Sequence, residues 1–262
     1  MNLARRYAPP ALSARFWPVW QRNFLVWKKL ALPSILGNLA DPLILLFGLG
    51  YGLGAVIGEL DGTSYFAYLA GGFVASATMY AATFESLFSA FSRMHVQRTW
   101  EAIVNAPLTL DDVVTGEWAW CASKALAAGV AVLIVVALFG YVSSALALAA
   151  IPVVLLIGLA FGALGLSINA LASSYDYFSY YLTLALTPMM ILSGVFFPVE
   201  RLPEAIQAIA VVLPLYHGVA IVRPMLSGAL APGLLVHLAV LAAYAIVAFY
   251  VAVVLTRRRL LK

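Results

Sequence analysis

The sequence predicts an all-α integral membrane protein, and three observations carry that prediction. Of its 262 residues 64% are hydrophobic and 10% charged, against about 45–50% apolar and 25% charged in soluble domains. Apolar windows of about 20 residues, long enough to cross hydrocarbon, recur along most of the chain. Lysines and arginines cluster before the first window and after the last. A soluble domain of this length has too little interior to hide so much apolar surface, whereas a bilayer solvates it. The net charge of +4 is then a matter of orientation in the membrane and does not call for nucleic acid.

Residues 1–33 form a cytoplasmic tail and an amphipathic helix. The first thirty carry Arg5, Arg6, Arg15 and Arg22 without an uninterrupted apolar run, so no cleaved signal peptide is expected. At 100° per residue Phe16, Trp17, Trp20, Phe24, Trp27 and Leu30 share one side of a helix, and Arg15, Gln21, Arg22, Lys28 and Lys29 fall mostly on the other. The pattern predicts a helix lying in the inner membrane surface, tryptophans at headgroup level and cations toward anionic lipid. A plain anchor and a contact with a cytoplasmic partner both fit it. Pro33 is expected to separate this helix from the first span.

Residues 34–262 form the transmembrane domain. Six windows read as spans: Ser34–Ile57, Phe66–Ser92, Trp118–Phe139, Ala145–Leu171, Tyr180–Phe196 and Pro232–Leu255. Arg5, Arg6, Arg15, Arg22, Lys28 and Lys29 precede the first, and Arg257, Arg258, Arg259 and Lys262 follow the last, so both termini are expected in the cytoplasm. In the first span GLGYGLG (48–54) lacks the spacing and the preceding strand of a nucleotide loop. Its glycines four apart suit close helix packing or a dimer contact. Asp41, before Pro42, and Glu85 are ionisable groups at or inside spans, where a charge costs at least ~2.5 kcal/mol. Both can sit near the inner interface or line a polar pathway. Lys124 is expected to snorkel to the cytoplasmic headgroups.

The longest inward connection is 92–118. Thr109 reads as the N-cap of a helix with Asp111 and Asp112 in its first turn, so the third span should begin inside the cytoplasm. Upstream, Arg98, Thr99, Trp100, Glu101 and Val104 fall in a two-turn helix that ends before Asn105-Ala106-Pro107. An exposed Trp100 there suits either a docking knob or a helix resting on headgroups.

The outer segment 197–230 is the most punctuated. Pro198 is expected to stop the fifth span, Pro203 with Glu204 to open a helix that Pro214 ends, and a second run to stop at Arg223-Pro224. An eleven-residue helix is roughly 16 Å long at 1.5 Å per residue, too short to cross about 30 Å of hydrocarbon. A re-entrant pair follows, which is tolerated where protein buries it or it borders water.

Catalytic chemistry is not legible. The chain has no GxxxxGK[ST] loop for ATP and no HExxH, and His95, His217 and His237 are far apart in sequence. Cys121 is the only cysteine, which excludes an intrachain disulfide and a cysteine cluster. Metal sites and cofactors are therefore not expected in this chain. Transport remains, with the energy source in another subunit.

Several blocks together are familiar: VWQRNFLVWKKLALPSILGNLADPLILLFGLGYGLG (19–54), QRTWEAIV (97–104), LASSYDYF (171–178), SGVFFPVERLP (193–203) and LPLYHGVAIVRPM (213–225). They resemble the membrane subunit of ABC-2 type (type V) exporters, the nodulation-factor exporters among them. The resemblance runs nearly end to end. It implies six spans, an amphipathic N-terminal helix, a coupling helix after span two, and re-entrant helices between spans five and six. It also implies two permease copies with two ATP-binding cassette ATPase subunits, which hold the ATP and Mg. Carried onto this chain, Arg98 to Val104 would rest on the ATPase, and the helix bearing Trp17, Trp20, Arg22, Phe24, Trp27 and Lys28 would be a second contact. Phe196, Phe197, Pro198 and His217 would lie in an outer gate spanning Phe196–Val222. The implied cargo is a lipooligosaccharide or lipid-linked saccharide, and the implied location the cell inner membrane. An ion-coupled multidrug carrier and a non-transporting scaffold subunit are the competing readings.

Overall fold

A computed structural model describes residues 6–60, 62–104 and 107–261. Arg5, Asp61, Asn105, Ala106 and Lys262 lie outside the described residues, as does the side chain of Val104. After a short 3-10 turn, α1 spans Trp17–Lys28 and α2 spans Ala31–Gly52, prolonged by Gly54–Ile57. The break between them falls at Lys29-Leu30, and Pro33 sits inside the first turn of α2. That corrects the expected separator: proline is tolerated in a first turn, where its missing N–H has no helical partner to lose.

A two-stranded antiparallel hairpin, β1 (Glu59–Leu60) and β2 (Thr63–Ser64), leads into α3 (Tyr65–Phe84). The helix continues through π-helical turns at Glu85–Ser89 and Ser92–Val96. The short helix α4 (Thr99–Val104) follows Arg98, whose φ of 50° is unusual for a residue with a side chain. Then come α5 (Leu110–Leu138), α6 (Ala150–Leu171, entered by a 3-10 turn at Ala145–Ala149) and α7, built of Asp176–Tyr181, a π-helical Leu182–Leu186 and Thr187–Leu192. The insert between α7 and the last helix holds α8 (Glu204–Ala210) and α9 (Pro214–Ser227), and α10 (Leu234–Leu260) follows.

Among the described residues, four helices are long and apolar enough to cross a membrane: Ala31–Ile57, Leu110–Leu138, Ala145–Leu171 and Leu234–Leu260. The helix α3 is diluted by Ser76, Thr78, Thr83 and three tyrosines and is buried along nearly its whole length. At 1.5 Å per residue α7 reaches roughly 25 Å. It ends at Leu192, short of the predicted stop at Pro198, because Gly194 takes φ +78° and turns the chain.

The helices α3, α5 and α6 pack against one another, α10 lies along α6, and α9 lies against α3 and α6. Glycines permit the crossings. A Cβ at Gly71 would stand 2.6 Å from Arg223 Cα, and one at Gly129 2.2 Å from Thr78 Oγ1. In the glycine run of α2 only Gly50 is filled by a close neighbour, the ring of Phe66, while Gly48 and Gly52 face open space.

Long-range contacts define two ends. At one, Arg257 near the end of α10 pairs with Asp111 in the first turn of α5 and donates to Ala8 O at 2.6 Å. Ala11 N donates to Asp111 Oδ2 at 2.8 Å. The N-terminal tail, the 92–118 connection and the C-terminus therefore share one end of the bundle. At the other, Tyr68 Oη donates to Gly194 O at 3.2 Å and Ser143 N to Leu226 O at 2.9 Å, which joins the insert to the α5–α6 turn.

In the insert, α8 and α9 meet at a bend of 86°. Pro214, expected to end a helix, is the first residue of α9, where its fixed φ suits helix entry. The helix also runs through Pro224 to Ser227 and is closed by Gly228 at φ +89°. Substituting Gly71 with alanine should cost about 1–3 kcal/mol, since backbone stands in the way. Thermal unfolding of the purified protein should register that loss, with Gly48→Ala, which meets nothing, as the neutral control.

Candidate functional site

The end that carries the 92–118 connection holds a buried ionic cluster. The first element is Glu85, at the end of α3 and 4% exposed. Its Oε1 accepts from Arg93 Nη2 and from Trp120 Nε1, each at 2.9 Å, and its Oε2 from Lys124 Nζ at 2.8 Å. Arg93 turns its other edge to Glu117, donating from Nε at 2.9 Å and from Nη2 at 2.5 Å. Trp100 Nε1 donates to Glu117 Oε1 at 3.1 Å. Two carboxylates thus face two cations, and indole N–H groups fill remaining lone pairs, which is the condition under which buried charge is tolerated.

Several expectations change here. Trp100 is 2% exposed, so it anchors α4 to the bundle and is no exposed knob. What α4 presents to solvent is Glu101 and Ala102, beside an exposed Arg98. Lys124 does not snorkel to headgroups, because Glu85 lies within reach and offers a full charge. Glu85 is buried and held by Arg93 and Lys124.

The amphipathic helix α1 is also held by the protein. Trp20, Phe24 and Trp27 set their rings about 6 Å from Trp120, all edge-on. Trp20 Nε1 donates to Ser123 Oγ at 3.0 Å. The aromatic side predicted for headgroups thus packs largely on α5, while Trp17 and Lys28 remain exposed. Arg22 Nη2 reaches Thr99 Oγ1 of α4 at 3.4 Å and Nη1 reaches Asn23 Oδ1 at 3.0 Å. The two segments expected at a cytoplasmic partner therefore touch each other. Beside them, burial and the Arg259 cation hold the His95 imidazole below its usual range, against the opposing pull of Glu101.

The remaining candidates separate. Asp41 is exposed and lines a groove of about 590 Å³ with Asn38, Phe73, Tyr80 and Met190. Phe196 and Phe197 are half-buried, and Pro198 is buried. The Phe196 ring meets Phe73 edge-on at 6.0 Å. His217, read as a lone residue, meets His237 of α10 with Nδ1 atoms 2.7 Å apart, and its Nε2 lies 3.0 Å from Val211 O.

A family model described as ABC-2 type transporter matches residues 14–227. The chain belongs to the ABC-2 type transporter family. It is 51% identical over 253 residues to nodulation protein J of Rhizobium leguminosarum bv. viciae, covering 97% of this chain and 98% of that one. The protein of the same name from Rhizobium meliloti (strain 1021) is 49% identical, covering 96% and 97%, and that of Azorhizobium caulinodans 33%, covering 78% and 81%. As an ABC-2 chain it is the permease subunit of an ABC exporter, a transporter component and not itself an enzyme.

Sequence reasoning missed Arg93, Glu117 and Trp120 as members of the cluster. A signal existed: Glu117, Trp120 and Lys124 stand at i, i+3 and i+7, one face of a helix. Lys124→Met should leave a buried carboxylate unbalanced and cost about 3–5 kcal/mol. The Glu85→Gln/Lys124→Met pair should recover part of that loss. Strictly additive losses in a double-mutant cycle of melting measurements would contradict the coupling.

Proposed function

We propose that this permease crosses the cell inner membrane six times, on α2, α3, α5, α6, α7 and α10, with both termini in the cytoplasm. The basic clusters at the termini support that orientation, as does the shared end of tail, connection and C-terminus. On this reading α8 and α9 form a re-entrant gate at the outer surface, carrying Phe196, Phe197, Pro198 and His217 near its entrance, and Asp41 lines part of the path.

The energy comes from a separate ATP-binding cassette subunit that holds ATP and Mg, and two copies of this chain pair with two of that subunit. The observation that carries the proposal is the suspension of α4. Its outward side offers Glu101 and Ala102 beside Arg98, while Trp100 ties it through Glu117 and Arg93 to the end of α3. A push on α4 has a stiff, buried route into α3 and α5, and Arg22 passes part of it to α1. The cargo is an amphiphile, a lipooligosaccharide or other lipid-linked saccharide. The name of the relatives, nodulation protein J, supports that class only by pointing to nodulation.

Co-purification with the ATPase, followed by ATP-driven movement of a lipid-linked saccharide in vesicles, tests the proposal. Glu101→Arg should weaken capture of the ATPase about tenfold with the fold intact. Trp100→Phe should retain capture and lose transport, since it removes the N–H to Glu117 and keeps the packing. Transport that survives both substitutions would refute the docking scheme. For topology, a cysteine at exposed Gln97 should react with an impermeant maleimide only after cells are opened, and one at exposed Ser227 in intact cells. The reverse pattern would invert the orientation.

A further inference from the structure

Two histidines join the outer insert to the last helix. His217, 5% exposed on α9, and His237, half-buried on α10, bring their Nδ1 atoms to 2.7 Å. The surroundings assign the protons of this contact. His217 Nε2 lies 3.0 Å from Val211 O, and a carbonyl only accepts, so Nε2 carries a hydrogen. A neutral His217 then has a bare Nδ1, and His237 donates to it from its own Nδ1–H. Of the four ring nitrogens, His237 Nε2 alone has no hydrogen-bond partner among the described residues. A bridging metal fits less well. Two nitrogens on a tetrahedral zinc stand roughly 3.3 Å apart, given bonds of about 2.0–2.1 Å, and the described residues hold no group of three or more His, Cys, Asp or Glu suited to a metal.

Protons change the contact in a defined order. The first enters at His237 Nε2 and makes that ring an imidazolium, which still donates from Nδ1 to neutral His217. The bond is then charge-assisted and roughly twice as strong as between neutral partners. A second proton would have to enter at His217 Nδ1, setting two N–H groups and two positive charges head to head. One added proton tightens the link, and two break it.

Little else around the pair competes for that proton. The helix α6, its entry turn Ala145–Ala149 and the Thr187–Leu192 part of α7 pack on α9 and contain no ionisable residue. From α3, Tyr65 and Tyr68 donate to Phe196 O and Gly194 O, and Tyr80 lies on the Asp41 groove. On α9 itself Arg223 donates to Tyr68 O and Gly194 O, and Tyr216 sets its ring edge-on to both imidazoles. On α10, Tyr244 donates to Val212 O, and the charged residues of α5 and α10 lie toward the opposite end. Glu204 is exposed at the start of α8. Glu200, exposed on the turn before α8, acts on the Tyr216 phenol and favours positive charge beside it.

We infer that His217 and His237 form a proton-operated clasp on the outer insert: one proton taken up at His237 tightens the hold of α10 on α9. The inference rests on the proposed orientation and export for its role, which is to make the outer gate respond to external acidity. The clasp itself needs neither ATP nor the ATPase, so the two can fail separately.

The full chain is placed in lipid nanodiscs with isotope-labelled histidine and His95→Gln, which leaves these two imidazoles alone. Nitrogen NMR from about pH 8 to about pH 5, the range of histidine titration, should show His217 keeping its Nε2–H, His237 gaining a proton at Nε2, and a coupling between the two Nδ1 atoms. Spin labels on Val212→Cys and Leu235→Cys, at exposed positions beside the pair, report the separation of α9 from α10, while the native Cys121 is buried. The fraction of molecules with α9 displaced should fall about fivefold over that range. In His237→Gln, whose amide donates but does not titrate, that fraction should not change with pH. Independent titration of the two rings without the coupling overturns the inference, as does a displaced fraction that ignores pH in the chain with both histidines. Shifts of both Nδ1 signals on adding zinc ion would make the pair a metal site and overturn it too. A coupled, titrating pair in a chain that moves no cargo with its ATPase would sustain the clasp and remove the export reading instead.

Discussion

The rest of the structure depends on the need to neutralise charge inside a bundle meant for lipid. The buried carboxylates of Glu85 and Glu117 call for cations close by, and Arg93 and Lys124 lie within 2.9 Å of them. The cost of parting such a pair is several times that of parting an exposed one. The pairing therefore fixes how the end of α3 sits on α5. Because Trp100 completes the same cluster, it also fixes where the short helix α4 hangs. An element with six residues has little helical stability of its own, so its position is borrowed from the charges behind it.

The opposite end solves a different problem. There the backbone is irregular, with helix breaks at Gly194 and Pro214 and an 86° bend between α8 and α9. Exposed carbonyls at membrane depth must be matched by protein or water. The carbonyls of Tyr68 and Gly194 accept from Arg223, and that of Phe196 from Tyr65. One arginine held by backbone and aromatic ring thus lets the chain turn where a continuous helix would otherwise be required. The bundle is charge-locked at one end and backbone-locked at the other, with apolar helices between.

Membership of the ABC-2 family agrees with this division. The matched region, 14–227, includes the amphipathic helix, α4 and the outer insert. Similarity to nodulation protein J reaches across nearly the whole chain, so both ends of the bundle lie within what the relatives share in sequence.

By itself the sequence determined the solvent, the helical class and the start of α5, but not the punctuation at Pro33, Pro198, Pro214 and Pro224. Apolar content required lipid, the Thr109–Asp112 capping box was written in four adjacent residues, and its reciprocal hydrogen bonds are present. Such features are local, and local spacing is all that a linear pattern encodes. The tertiary structure alone decided which charges meet. Trp100 read as exposed, Lys124 as snorkelling, and His217 as solitary, yet each has a partner from another part of the chain: Glu117, Glu85 and His237. The reason is physical: a buried charge or N–H takes whichever partner packing brings within about 3 Å, and packing brings together residues whose separation along the chain carries no period.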